Sequence, residues 1–144
     1  MKILSTFLVV VFLLSCTTIE QEKKNPLEGT TWELTSGKWV REDSTLTFPN
    51  SPHDQAIIIF GKTHYSLVAQ DTSRDYNWFI LAKYTVDGDN LTPTFKMAIN
   101  YKEIGSSFTG KIQIDVDQLI IEATDYNIGD YKWKNYREVW KRID

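Results

Sequence analysis

The sequence predicts an all-β protein: a single antiparallel up-and-down β-barrel of about eight strands. Three observations lead there. From Gly29 onward apolar residues recur with a period of two, the period of a strand. Short turns separate successive strands, and folding each pair about its turn brings the apolar sets onto one face. No stretch carries a 3.6-residue period with caps, so no helix is on hand to cover an open sheet; closing the sheet on itself buries that face and removes the edges. A two-sheet sandwich is the alternative, but a run of tight hairpins favours up-and-down order.

Composition agrees with one soluble domain. The chain has 144 residues, 42% hydrophobic and 24% charged, with 5 Trp, 7 Tyr and 7 Phe. These fractions exclude disorder and a polytopic membrane protein, and the length suits one core. The net charge of −3 excludes a strong basic footprint for nucleic acid. One Cys and two His exclude a disulfide framework and leave no ligand set for an all-protein metal site.

The elements follow in chain order. Lys2 is followed by an apolar run over residues 3–14, broken only by Ser5 and Thr6. Twelve residues fall short of the roughly 20 that a membrane span needs, and fit the apolar centre of a secretory leader. The run ends in Leu13-Leu14-Ser15-Cys16, which resembles the bacterial lipobox. That resemblance implies a leader over residues 1–15 and lipidation of Cys16. It also implies a lipid-anchored place at a bacterial membrane: the outer membrane, its periplasmic face or the cell surface. Residues 16–26 read as a flexible tether from Cys16; the ten residues from Thr17 to Pro26 are polar, mixed in charge and without alternation, and reach at most about 35 Å. The barrel domain is expected over residues 27–144.

The first strand is expected over residues 30–36, extending towards Val40, with Trp32 and Leu34 on one face. Residues 41–54, with Pro49 and Pro52, read as a polar loop. A turn at Gly61-Lys62 sets Ile58 opposite Tyr65 and Ala56 opposite Leu67, with Ile57 and Ile59 pointing away. Residues 71–77 form a second loop. The turn Asp87-Gly88-Asp89-Asn90 sets Val86 opposite Leu91, Ala82 opposite Phe95, Ile80 opposite Met97 and Trp78 opposite Ile99. The next pair folds about residues 115–118, with Ile114 opposite Leu119 and Ile112 opposite Ile121. Residues 125–135 read as a third loop. The last strand covers residues 136–142; Tyr136 and Trp140 compete with Val139 and Ile143 for its inner face.

Leu27-Glu28-Gly29-Thr30-Thr31-Trp32 resembles the opening of the lipocalin and calycin barrels, where a Gly-x-Trp begins the first strand. The spacing here is one residue longer, and the C-terminal helix of full lipocalins has no counterpart. The layout resembles the short lipocalin-like domains of bacterial lipoproteins. The resemblance implies that Trp32 plugs the closed end and that Arg142, from the last strand, packs beside it. It further implies a barrel that binds a small hydrophobic or amphipathic ligand.

Chemistry is not expected. No Gly-x-Ser-x-Gly elbow or nucleophile–base set surrounds His53 or His64, and no Gly-rich phosphate cradle occurs. Asp87 and Asp89, like Asp115 and Asp117, are explained by turn formation and lack the order of a calcium loop. The reading is therefore no enzyme, no catalytic residue, no metal and no cofactor. A barrel of this size is either filled by side chains or holds one small ligand. The candidate ligand-binding residues, all expected to point inward, are Tyr65, Leu67, Trp78, Tyr84, Phe95, Met97, Phe108, Ile112 and Ile121. The expected partners are a membrane, through the acyl anchor, and a small hydrophobic ligand, with no nucleic acid. A dry barrel serving as a structural or protein-interaction accessory lipoprotein is the alternative.

Overall fold

A computed structural model describes residues 24–72 and 76–144. The expected leader, Cys16 and most of the tether lie outside the described residues. Nine strands are present among the described residues: β1 (Thr30–Arg41), β2 (Thr45–Phe48), β3 (Gln55–Phe60), β4 (His64–Asp71), β5 (Tyr76–Asp87), β6 (Asn90–Ala98), β7 (Gly110–Ile114), β8 (Gln118–Ile128) and β9 (Tyr131–Arg142). A 3-10 turn spans Tyr101–Glu103. β1 pairs with β3 on one side and β9 on the other, and every neighbour in between is antiparallel. The sheet is thus a closed eight-stranded barrel with one extra strand. That extra strand, β2, lies along the second half of β1 (Val40 opposite Thr45), while β3 lies along the first half (Thr30 opposite Phe60). Together β2 and β3 form one interrupted stave of the ring.

Strand alternation builds the core. Ala56, Ile58 and Phe60 of β3 are buried while Ile57 and Ile59 face out. One end of the barrel is sealed by Leu27, Trp32, Phe60, Leu119 and Trp140, all fully buried. The Trp32 indole N–H donates to the Thr30 hydroxyl (2.7 Å), which donates to the Leu27 carbonyl (2.6 Å). Arg142 pairs with Trp32 in register, and its guanidinium lies 5.7 Å from the ring centroid. The chain enters at this sealed end: Asn25 donates to the Tyr84 hydroxyl (2.7 Å), which donates to the Gly61 carbonyl (2.6 Å).

Several boundaries differ from the sequence expectation, each for a local reason. The segment expected as a loop over residues 41–54 contains β2. The loop expected over residues 125–135 is instead the tip of a long hairpin, turning at Gly129 with φ +56°. The β3–β4 register is two residues from the expected one (Ile58 opposite Leu67, Phe60 opposite Tyr65) because the turn centres on Lys62-Thr63 and not on Gly61-Lys62, with the Gly61 N–H donating to the His64 carbonyl (2.8 Å). An even slip leaves every side chain on its expected face. In β6 the slip is odd. Lys96 is an extra residue, so Ala82 pairs with Phe95 but Leu81 pairs with Met97. The bulge turns Met97 to the outside, where it is 53% exposed; the inward placement expected for it is corrected here.

The joint between β6 and β7 is short. Only Asn90–Lys111 and Leu91–Gly110 pair as a ladder, followed by an isolated bridge from Thr94 to Ser107. Pro93 lies between them and supplies no N–H. Hydroxyls take over: Ser107 donates to the Pro93 carbonyl (2.7 Å), and Thr92 meets Thr109 (2.9 Å). Phe108, expected within a strand, precedes β7 yet still packs inward against Phe95 and Tyr126.

Candidate functional site

Two bulges shape the open end of the barrel. Thr35 is an extra residue on β1 opposite β9, and its hydroxyl donates to the Val139 carbonyl (2.9 Å). Inward positions therefore switch from Trp32 and Leu34 to Gly37, Trp39 and Arg41. Lys134 is the matching irregularity on β9, which puts Trp133 on the same side as Tyr136, Glu138 and Trp140. The Trp39 ring folds over Gly37, where a Cβ would lie 2.4 Å from the ring edge.

These residues surround a cavity of about 330 Å³, open at the end opposite Trp32. This is near the lower limit for small-molecule pockets. Tyr65, Leu67, Trp78, Phe95 and Phe108, expected from the sequence, line it together. Tyr84, Ile112 and Ile121 are buried but pack in the sealed part of the core, and the Tyr84 hydroxyl is committed to Asn25 and Gly61. Met97 is outside. The walls also carry Trp39, Tyr126, Trp133 and Tyr136, four rings absent from the sequence candidates. Trp39 meets Trp78 edge-on at 5.9 Å, and Tyr126 stacks on Trp133 at 6.2 Å.

A carboxyl sits in the wall. Glu138 is 6% exposed and accepts from the Tyr136 hydroxyl (2.6 Å) and the Trp140 indole N–H (2.9 Å). Trp39 supplies a further hydrogen bond. Burial pushes the Glu138 carboxyl up to about 7, against these donors, which favour the charged form. Burial, and then the neighbouring Glu138 charge, push the Tyr65, Tyr126 and Tyr136 hydroxyls upward, so all three stay neutral donors.

A cation guards the mouth. The Arg41 guanidinium lies 4.2 Å from the Tyr131 ring centroid and 4.3 Å from that of Trp133. Among the described residues no carboxylate forms an ion pair with it. The buried Arg41 Nε and Trp133 Nε1 have no hydrogen-bond acceptor. Unpartnered buried donors are uncommon in native proteins. Glu103 is the nearby acid; it accepts a long bond from the Asn100 amide (3.4 Å), and burial pushes its carboxyl up. The site is thus an aromatic cup with a donor-rich rim and one buried acid in its wall. His64 is exposed and bonded to its neighbour Thr63, away from the cup.

Sequence reasoning missed Arg41 and Trp133 because the strand period fails at the two bulges, and Glu138 because the inner face of the last strand was left open. The signal was present in the sequence as an unresolved face of the last strand, with Tyr136 and Trp140 two residues either side of an acid. Neither the protein-family models nor the curated proteins compared with this chain match it.

Proposed function

We propose that the protein is a lipid-anchored bacterial envelope lipoprotein, with a lipocalin-like barrel, that holds a compact hydrophobic or amphipathic molecule. The observation that carries this is the aromatic cavity, open at one end and sealed at the other by Trp32 with Arg142 beside it. Ring-lined walls gain from apolar contact, and a few polar groups orient the guest. Its polar end faces Arg41 and Trp133, whose donors have no partner in the protein. Binding needs no reacting set, and the acid of the cup accepts from three hydrogen-bond donors of its own wall. The Leu13-Leu14-Ser15-Cys16 motif supports the anchor, and Asn25, near the start of the described residues, is held at the sealed end of the barrel.

The decisive experiment is mass spectrometry of the protein after denaturing extraction from its host. A recurrent small molecule in stoichiometric amount is expected; protein that is always empty refutes the binding role. For the anchor, metabolic labelling with a fatty acid is expected to mark the wild type and to be lost in Cys16→Ser. Equal labelling of both defeats it.

A further inference from the structure

The outer wall of the barrel carries two rows of apolar side chains, exposed except for the half-buried Leu81, and of these only Phe79 also borders the cavity. Ile57, Val68 and Phe79 pair in register across β3, β4 and β5. Beside them Ile59, Leu81 and Met97 form a second row, interrupted only by Ser66. Ile59 and Met97 are 53% exposed and Val68 is 56% exposed. A contiguous apolar face on the solvent side of a barrel marks a partner or a membrane.

The two borders of this face differ. Towards the mouth lies the neutral row Gln55, Gln70 and Asn77. Towards the sealed end lie Lys62 in the β3–β4 turn, then His64 opposite Lys83. Lys96, at the bulge, adds a cation on the β6 side, and Glu33, opposite Ile57, closes the β1 side. The basic border is also where the chain arrives. Asn25 is tied through Tyr84 to Gly61, next to Lys62. Eight residues, 17–24, separate Cys16 from Asn25, a reach of no more than about 32 Å.

We propose that this wall, β3 to β6, lies on the lipid bilayer that holds the acyl anchor. The proposal rests on the anchor reading above. The apolar rows enter the boundary between head groups and acyl chains, and the lysine border meets anionic head groups. The covalent anchor keeps the wall within a short tether of the surface, so a modest intrinsic affinity suffices. The mouth then opens sideways along the membrane.

The test uses the full chain with Val68→Cys labelled by a nitrobenzoxadiazole dye. It is reconstituted in vesicles of phosphatidylcholine with a minority of phosphatidylglycerol and a nitroxide-bearing lipid. Val116→Cys, in the turn after β7 and 84% exposed, is the matched control on the other side of the ring. Quenching at position 68 is expected to exceed that at 116 roughly threefold or more. Equal quenching at the two positions in protein that floats with the vesicles overturns this proposal and leaves the anchor intact. Protein that does not float overturns both. Dye at 68 that is shielded but unquenched, with self-association on sedimentation, overturns the bilayer in favour of a second copy of the chain.

Discussion

Glu138→Gln tests whether the cavity wall is as dry as its geometry requires. In the unfolded chain this carboxyl ionises near 4.5; in the fold, burial raises it to about 7. Between those values the unfolded state releases the proton and the folded state keeps it. The folded state therefore binds more protons, and stability falls as pH rises through that window. At 1.36 kcal/mol per pH unit the full loss is roughly 3 kcal/mol. Gln keeps the shape and the acceptor for Tyr136 and Trp140 but cannot ionise. Its amide also faces a ring donor, which lowers stability by about 1–3 kcal/mol at every pH. Urea unfolding of both proteins from pH 4.5 to pH 8 separates the two effects. The wild type is expected to lose roughly 3 kcal/mol more than the variant over this range, with the change complete a little above pH 7. Glu103 contributes equally to both curves and cancels. Parallel curves would refute the reasoning, because they require water at the Glu138 carboxyl.

Trp32→Ala is expected to cost about 3–5 kcal/mol by the same measurement, enough to unfold much of so small a domain, whereas Arg142→Ala costs less than about 1 kcal/mol because its stacked guanidinium is exposed. A similar cost for the two would mean that Arg142 is the true seal. Gly37→Ala forces the Trp39 ring off its seat, with an expected loss of about 1–3 kcal/mol and a shifted tryptophan emission; unchanged emission would show that the ring does not rest there. Arg41→Met is expected to weaken calorimetric binding of 4-phenylbutyrate roughly tenfold while leaving 4-phenylbutan-1-ol unaffected. Equal weakening of both probes would remove Arg41 from any role in holding a polar head.

Much of the fold was legible because alternation and turn chemistry are local. The pairs Ile112–Ile121 and Val86–Leu91 follow from apolar parity and a short turn alone, and both are present. So does the exposure of Ile57 and Ile59. Parity is lost wherever one extra residue enters a strand, and no local pattern announces it: Lys96 reverses Met97, and Thr35 turns Trp39 and Arg41 inward. β2 was hidden because its four residues, just ahead of Pro49 and Pro52, pair with Gly37 to Val40, the stretch of β1 beyond the clearly alternating part of the expected first strand. The cup suffered most. Five of its aromatic or aliphatic walls were recognised as core-facing residues, but Arg41 was placed in the expected loop over residues 41–54 and the face that carries Glu138 was left unresolved. Arg41 and Glu138 look like surface residues in any window of sequence, and only the closed ring encloses them.

Pro93 has an effect beyond its own position. The Tyr84 N–H points to the Thr63 carbonyl on the β4 side, so the missing donor of its partner Pro93 faces β7. Around Pro93 one joint of the ring is therefore stitched by hydroxyls, with peptide hydrogen bonds only on either side of that stretch. Such stitches exchange with water at little cost, and segments held by them open at lower free energy than the rest of a domain. The ring has a zip as well as a rim: it can part along β6 and β7 without unthreading, and amide exchange would find the teeth nearest Thr94 the first to let go.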